Sequence, residues 1–145
     1  MALSNILAVK NLSKWYSKTE SEITLDCINL DVAQGSTIAL TGESGSGKST
    51  FLNILAGLEP PSSGEVFFNE VSLWKMTEAG RSRFRRSELS IIFQNFNLIN
   101  SLTVWENISF QAKLSQKWNS ISAENLLSET GLTRIKNSYP DQISG

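Results

Sequence analysis

The chain of 145 residues is poor in cysteine, in net charge and in long apolar runs. Its single cysteine, Cys27, excludes an intramolecular disulfide, and its place in a strand-like pattern predicts a small buried side chain. With 13 basic and 14 acidic residues the net charge is −1, which gives no electrostatic case for nucleic acid as a partner. No apolar stretch approaches the roughly 18–20 residues of a membrane span, and no signal pattern begins the chain. We therefore expect a cytoplasmic chain that reaches a membrane only through a partner.

What is present is the composition of an ordinary folded domain. Hydrophobic residues make up 40% of the chain, which is enough for a packed core, and the length suits one domain. Positive charge is concentrated at one place, formed by Arg81, Arg83, Arg85 and Arg86. A solvated helix face is the favoured interpretation of this cluster, and a nucleic-acid patch is the alternative.

The most informative segment is residues 42–50, which read Gly-Glu-Ser-Gly-Ser-Gly-Lys-Ser-Thr and fit the pattern G-x-x-x-x-G-K-[S/T]. In such a loop successive backbone N–H groups turn inward and form a nest for anions, and glycine lets the backbone approach phosphate oxygens closely. Lys48 can reach the β- and γ-phosphates of a nucleotide, and the Ser49 hydroxyl can bind Mg²⁺. The segment therefore predicts a site for a nucleoside triphosphate with Mg²⁺.

The flanking sequence gives this motif the context that it requires. Residues 36–41 form a short apolar run rich in β-branched residues, which predicts a buried strand. After the motif, apolar residues recur at the spacing of one helix face, namely Phe51, Ile54, Leu55 and Leu58. Gly57 and the two prolines that follow it are signals for the end of this helix. Strand, loop and helix start together suit a phosphate because the helix N-terminus adds its positive end to the nest.

The remaining elements follow from shorter signals. Strands are predicted at residues 6–9, 24–32, 66–68 and 89–93, and polar and apolar residues alternate in the second of them. Thr77 is a predicted cap for a short arginine-rich helix. From Asn95 onward the pattern is helical, with a capping box at residues 103–106. A second helix face begins at Ala123, and Gly131 is its predicted C-terminal cap.

In several segments at once the sequence resembles ATP-binding-cassette (ABC) ATPases, and within them the subunits that drive lipoprotein release and macrolide export. The similar segments, in chain order, are LSKWY with Tyr16, the loop at 42–50, LNILAGLEPPSSGE at 52–65, IIFQNFNLI at 91–99, LTVWEN at 102–107 and YPDQISG at 139–145. The last one looks like the approach to the signature Leu-Ser-Gly-Gly-Gln, with Ile143 in the leucine position. The resemblance covers essentially the whole chain.

The resemblance implies an α/β fold, that of the N-terminal portion of an ABC-type P-loop NTPase domain. The expected parts are an antiparallel β subdomain, a partial parallel core sheet and a partial helical subdomain. Residues 1–94 would form the N-terminal part of the ATP-binding core, and residues 95–145 would begin the helical subdomain.

The resemblance also implies a set of nucleotide-contacting residues. They are Tyr16, Gly42, Glu43, Ser44, Gly45, Ser46, Gly47, Lys48, Ser49, Thr50 and Gln94. Tyr16 falls where the family places an aromatic ring that stacks on adenine, although it could instead cover a strand edge, and Trp15 is a competing platform. Lys48 and Gln94 would be the catalytic residues, and Ser49 and Gln94 would bind Mg²⁺. Gln94 could also be an ordinary polar residue at a strand end.

The implied partners are a transmembrane permease subunit or domain and a second ATP-binding domain, with two ATP molecules sandwiched between the two nucleotide domains. Ser144 and Gly145 would contact the γ-phosphate that the second domain binds. Nucleic acid is not an expected partner. The chain would lie on the cytoplasmic face of the inner membrane, attached through the permease.

The sequence departs from the family pattern at its end. It stops two residues into the signature, so the family's second acidic motif and its switch histidine would lie beyond residue 145, and the chain contains no histidine. We therefore expect a truncated chain that binds ATP without turning it over alone. Asn100 and Ser90 stand where the subfamily usually has proline and glycine.

Three interpretations of function remain open from the sequence. The first is the energy-coupling subunit of an ABC transporter for export or lipoprotein extraction. The second is a non-catalytic nucleotide-binding fragment without a transport role. The third, a soluble ABC-type ATPase of DNA repair or translation, is disfavoured by residues 94–98 and by the absence of a basic face.

Overall fold

The computed structural model of the protein describes residues 5–16, 23–93, 97–114 and 116–143. The chain divides into two compact parts, Met1–Leu89 and Ser90–Gly145. Across these described ranges, no helix has both the length and the apolar character that crossing a membrane requires.

The first part contains a four-stranded antiparallel sheet with the strand order β2-β1-β3-β4. Its strands are β1 (Asn5–Trp15), β2 (Ile23–Ala33), β3 (Ser63–Phe68) and β4 (Val71–Ser72). In β2 the half-buried Ile28, Leu30 and Val32 alternate with exposed polar residues, because successive side chains of a strand point to opposite faces. The strands predicted at 6–9, 24–32 and 66–68 are thus confirmed, with longer bounds.

Two helices pack against this sheet, α1 (Lys48–Leu55) and α2 (Glu78–Ser87), and a short 3-10 turn (Leu73–Lys75) precedes α2. The shared core consists of buried residues from the strands, the turn and both helices, namely Val9, Leu12, Leu25, Phe51, Ile54, Val66, Leu73 and Phe84. Burial of a large apolar side chain stabilises the fold by about 1.5–3 kcal/mol relative to its exposure. The helix that follows the 42–50 loop is therefore anchored to the sheet through its apolar face.

The C-terminal end of α1 agrees with the glycine signal in the sequence. Gly57 has φ 67°, its N–H donates to the Ile54 carbonyl at 3.1 Å, and the Leu58 N–H donates to the Asn53 carbonyl at 2.9 Å. These two bonds are those of a Schellman motif, which ends a helix at a left-handed residue. Leu58, which the sequence pattern assigned to the helix face, lies beyond this end and is largely exposed.

The arginine-rich helix α2 is capped as predicted, because the Thr77 hydroxyl accepts a hydrogen bond from the Gly80 N–H at 3.2 Å. Its face is less solvated than expected. Arg83 and Arg86 are exposed, whereas Arg81 and Arg85 are partly buried and both form ion pairs with Glu78, at 2.7 and 2.8 Å. Two of the four arginines are therefore paired within the fold, where they share one carboxylate.

Two predicted strands are wrong. Residues 36–41 and residues 89–93 have no strand structure, and the four-stranded sheet includes neither segment. Most of their apolar side chains are exposed, with Ile38 at 50% and Ile92 at 99%, whereas Leu89 is half-buried against the core. A buried parallel strand needs neighbours that complete its hydrogen-bond ladder and cover both faces, and within the described ranges no strand pairs with either segment. An apolar run alone does not supply these neighbours.

The expected burial of Cys27 is also wrong, since its side chain is exposed. The register between β1 and β2 shifts between Leu12 and Lys14, and Cys27, which lies at this shift, has φ 47° where a regular strand residue would have a negative φ. Its N–H donates to the Ser13 hydroxyl at 3.0 Å instead of to a strand carbonyl. Such a bulge turns a side chain away from the face that simple alternation assigns to it.

The second part is helical where it is described, with α3 (Val104–Leu114), α4 (Ser120–Glu129) and two 3-10 turns (Thr133–Ile135 and Pro140–Gln142). The predicted capping box is present: the Thr103 N–H donates to Glu106 at 2.8 Å, and the Glu106 N–H donates to the Thr103 hydroxyl at 3.3 Å. The predicted cap at Gly131 is also confirmed, with φ 71° and a hydrogen bond from its N–H to the Ser128 carbonyl at 3.1 Å.

Asn107 fixes the segment that leads into α3. Its side chain accepts from the Ile99 N–H at 2.9 Å and donates to the carbonyls of Ile99, Leu102 and Thr103 at 2.9–3.1 Å. One amide side chain therefore bonds to four backbone groups of the segment that leads into α3.

Candidate functional site

Residues 42–47 of the loop lie immediately before α1, and residues 48–50 form the first turn of that helix. Gly47 is the N-cap with φ 86°, and the Phe51 N–H donates to its carbonyl at 2.8 Å, which closes the first helical turn. A Cβ atom at Gly47 would lie 2.8 Å from the Thr24 carbonyl oxygen and 2.9 Å from Leu25 Cδ2. Only glycine satisfies both the backbone conformation and the close approach of β2.

The ammonium of Lys48 lies within the loop itself. Its Nζ donates to the Gly42 carbonyl at 2.8 Å, to the Ser46 hydroxyl at 3.1 Å and to the Glu43 carbonyl. Gly42 has φ 150°, and a Cβ atom there would lie 2.9 Å from the Ser46 hydroxyl oxygen. The loop thus folds around a single positive charge that its own backbone holds in place.

The start of α1 has the features that favour an anion. Gly47 offers no side-chain cap and the first turn contains no acidic residue, so no side-chain oxygen of the cap or first turn competes for the N–H groups at this helix end. Ser49 is exposed in this first turn. The remaining loop residues, Ser44 and Gly45, form an exposed turn ahead of it.

Tyr16 follows β1 and contacts the same helix. A hydrogen bond of 3.2 Å joins its hydroxyl to Thr50 Oγ1, and its side chain remains 63% exposed. Trp15, the competing aromatic, is part of β1 and is half-buried. Its backbone N–H donates to the Ser62 hydroxyl at 3.1 Å. Of the two rings, Tyr16 is therefore the one that the structure brings to the loop.

Two residues that the sequence analysis did not select complete this region. Lys14 Nζ lies 4.9 Å from the centre of the Tyr16 ring, 3.0 Å from Glu59 Oε1 and 2.8 Å from the Pro60 carbonyl oxygen. A hydrogen bond from Tyr16 lowers the pKa of Glu59, partial burial opposes this, and Lys14 lowers the pKa further. The only sequence signal for this contact was a lysine two residues before Tyr16, which by itself is uninformative.

Three residues that the family resemblance selected, Gln94, Ser144 and Gly145, lie outside the described residues. The other candidates, Tyr16 and residues 42–50, are described, and they come together at the start of α1.

A cavity of about 370 Å³ occurs in the first part of the chain, lined by Trp74, Glu78, Arg81 and Arg85 among others. It lies at the C-terminal end of α1, where Arg85 donates to the Gly57 carbonyl at 2.7 Å. Among the described residues that line the cavity, both arginines are already engaged by Glu78 and by backbone carbonyls. The loop at the opposite end of the helix is the better candidate.

The fold and the loop together define the N-terminal portion of a P-loop NTPase domain, in which a glycine-rich loop opens a helix with lysine and serine at its first positions. Comparison with known proteins identifies the branch of this class. Residues 25–145 match the family described as ABC transporter. The chain belongs to the ABC transporter family.

Two curated relatives match this chain over nearly its whole length. An uncharacterized ABC transporter ATP-binding protein of Mycobacterium tuberculosis, Rv0986, is 40% identical over 144 residues, which is 97% of this chain and 58% of that protein. The lipoprotein-releasing system ATP-binding protein LolD of Treponema denticola is 36% identical over 145 residues, which is 97% of this chain and 64% of LolD. The chain thus spans about three fifths of the length of these relatives.

Solved structures give the same result for the fold. The ATP-binding cassette MJ0796, in a dimeric post-hydrolysis state bound to ADP and Pi, matches with a TM-score of 0.84 at 31% identity, over 95% of this chain and 63% of that one. The protein cbiO1 of Clostridium perfringens, part of the ABC transporter complex cbiONQ, matches with a TM-score of 0.74 at 27% identity, over 97% and 56%.

Proposed function

We propose that the chain is the ATP-binding, energy-coupling part of an ABC transporter and that residues 42–50 hold the triphosphate of ATP with Mg²⁺. The observation that carries this proposal is the loop geometry. Within one short segment, the Lys48 ammonium is held by the loop backbone beside the N-terminus of α1, which no side chain caps.

The residues of the loop fit a triphosphate. A Cβ atom at Gly47 would collide with β2, and one at Gly42 would press on the Ser46 hydroxyl, so this loop conformation favours glycine at both positions. Backbone N–H groups and a positively charged side chain are the donors that phosphate oxygens require. An acidic side chain directed into the loop would repel a triphosphate. Glu43 is exposed, and its contact with Lys48 is made by its backbone carbonyl.

Each residue has a distinct proposed role. Lys48 would neutralise charge on the β- and γ-phosphates, which is the part of phosphoryl transfer that a fixed cation can supply. Ser49 would contribute its hydroxyl to Mg²⁺. Tyr16 would stack on the adenine. Gln94, which follows residues 91–93, would contact Mg²⁺ and the γ-phosphate.

The proposed setting of the whole protein follows from its relatives. LolD is named as part of a lipoprotein-releasing system, and cbiO1 as part of a transporter complex. We infer that this protein works beside a transmembrane permease, on the cytoplasmic face of the membrane, and pairs with a second ATP-binding domain, as the dimeric MJ0796 does. Hydrolysis of ATP would then drive export or lipoprotein extraction.

Lys48→Ala tests the nucleotide site directly. Removing the charged partner of a phosphate costs about 1.5–3 kcal/mol, so Mg-ATP affinity is expected to fall at least tenfold, by the factor of ten per ~1.4 kcal/mol. Isothermal titration calorimetry on the 145-residue chain measures this, with and without Mg²⁺.

Lys75→Ala is the matched control. Lys75 lies in the 3-10 turn before α2, is 72% exposed and pairs with Glu65, away from the loop. Its replacement is expected to leave Mg-ATP affinity unchanged. Equal affinity of the parent and the Lys48→Ala variant would contradict the proposed site.

A further inference from the structure

We propose that Lys14 and Glu59 are positioning residues for the nucleobase: as an ion pair they hold the Tyr16 ring against the start of α1, so that one face of the ring is left for a purine. The proposal rests on the proposed function, since it needs Tyr16 to meet the base. It assigns a role to two residues that no motif selects.

Lys14 is unusual among the lysines of the chain because it is buried within β1. Its side chain is 11% exposed, and its ammonium has two polar partners, Glu59 Oε1 at 3.0 Å and the Pro60 carbonyl at 2.8 Å. Burial of a charge is costly unless it is paired and hydrogen-bonded, and here both conditions are met. The position of the ammonium is therefore fixed by the segment that follows α1, not by solvent.

The fixed ammonium lies over one face of Tyr16, 4.9 Å from the ring centre, within the range of a cation–π contact. The edge of the same ring is fixed by the hydrogen bond of 3.2 Å between its hydroxyl and Thr50. Tyr16 is nevertheless 63% exposed. Because the ammonium lies over one face of the ring, a flat aromatic ligand would stack on the other face.

Glu59 links Lys14 of β1 to the segment that follows α1. It lies just after α1 in sequence, its side chain is 24% exposed, and it interacts with both Lys14 and Tyr16. The contacts of Lys14 and Glu59 thus connect β1, the Tyr16 ring and the end of α1. The ring is preorganised, which reduces the entropic cost of stacking a base on it.

The experiment separates the base from the phosphates by comparing two ligands, ATP and inorganic triphosphate, each with Mg²⁺. The measured quantity is the base preference, defined as the Kd for triphosphate divided by the Kd for ATP. Base–aromatic stacking contributes about 1–3 kcal/mol, so Tyr16→Ala is expected to lower the preference by about fivefold or more. Lys14→Met is expected to lower it about fivefold while triphosphate affinity stays within about twofold, because only the ring loses its support.

Lys10→Met is the matched control. Lys10 also lies in β1 and also faces an aromatic ring, that of Phe67 at 5.1 Å, but it is exposed, and Phe67 lies in β3, away from the loop. Its replacement is expected to leave the base preference unchanged. Lys14→Arg, which keeps the charge, is expected to restore most of the preference.

Two results would overturn the proposal while the proposed function stands. Either Lys14→Met keeps the full preference although Tyr16→Ala abolishes it, or Lys14→Met weakens both ligands equally, which would mean a purely structural role. Should Lys14→Met lack the circular dichroism spectrum of the parent, Glu59→Gln decides with the same criteria. If the parent chain binds neither ligand, the proposed function fails and this proposal fails with it. If Tyr16→Ala leaves the base preference unchanged, the role of Tyr16 and this proposal are wrong, while the site at residues 42–50 stands.

Discussion

Among single residues, the glycines of the 42–50 loop differ in what they tolerate. Gly45 and Gly47 both have positive φ, 81° and 86°. A Cβ atom at Gly45 would meet nothing within 4 Å, whereas at Gly47 it would collide with the Thr24 carbonyl and the Leu25 side chain. The two positions therefore separate backbone strain from steric overlap.

We expect Gly45→Ala to lower the free energy of unfolding by about 1–2 kcal/mol, the strain of a left-handed residue with a Cβ. Gly47→Ala should cost about 1–3 kcal/mol more, because β2 or the loop must shift to admit the methyl group. Urea denaturation of the two variants measures the difference. Equal midpoints would show that the contact between β2 and Gly47 is not constraining.

The residue scale also shows what sequence reading could and could not give. Residues 42–50 were selected by a motif whose chemistry is local, and the structure places Lys48 and Tyr16 at that loop. Lys14 and Glu59 were missed because their pairing joins positions 45 residues apart in sequence, and no short pattern encodes such a contact. Cys27 was misassigned because a bulge in the β1–β2 pairing shifts the alternation of faces.

At the scale of elements, helix ends were predictable because capping depends on neighbouring residues. Thr77, Gly57, Gly131 and the box at 103–106 all act as their sequence signals predicted. The strands at 36–41 and 89–93 were not predictable from local sequence, because a strand exists only with a hydrogen-bonded neighbour. Both segments are apolar, as their sequences show, but neither forms the strand that this apolar character predicted.

The capping box at the start of α3 makes stability depend on pH. The Thr103 N–H and then its hydroxyl hold the pKa of Glu106 below its ordinary value of 4.5. A carboxyl whose pKa is lower in the folded state stabilises the fold above the unfolded pKa, and this contribution disappears as pH falls through the folded pKa.

Glu106→Gln keeps a side chain that can cap the helix but removes the titration. We expect this variant to be less stable than the parent at about pH 7, with the difference shrinking toward about pH 3 as Glu106 takes up its proton. Urea denaturation at both pH values measures this. Glu129→Gln, an exposed change in α4, serves as the control. A difference of the same size at both pH values would refute the account.

For the whole molecule, the fold agrees with the ABC family over nearly the entire chain, with a TM-score of 0.84 to MJ0796. Within Met1–Leu89, the sheet and the core residues Phe51 and Ile54 hold α1, and α1 in turn holds the loop. The geometry of the proposed nucleotide site is thus a consequence of how one helix is packed. This organisation could be predicted in outline from the motif, while the sheet order required the structure.

The central claim is that residues 42–50 bind Mg-ATP. Amide chemical-shift mapping by NMR on the 145-residue chain tests it most directly, because each backbone N–H of the loop reports on its own contact. We predict that saturation with Mg-ATP shifts the amides of residues 42–50 and of Tyr16 most strongly, and that Lys48→Ala abolishes these shifts. Shifts concentrated in α3 and α4, or shifts that persist in Lys48→Ala, would contradict the claim.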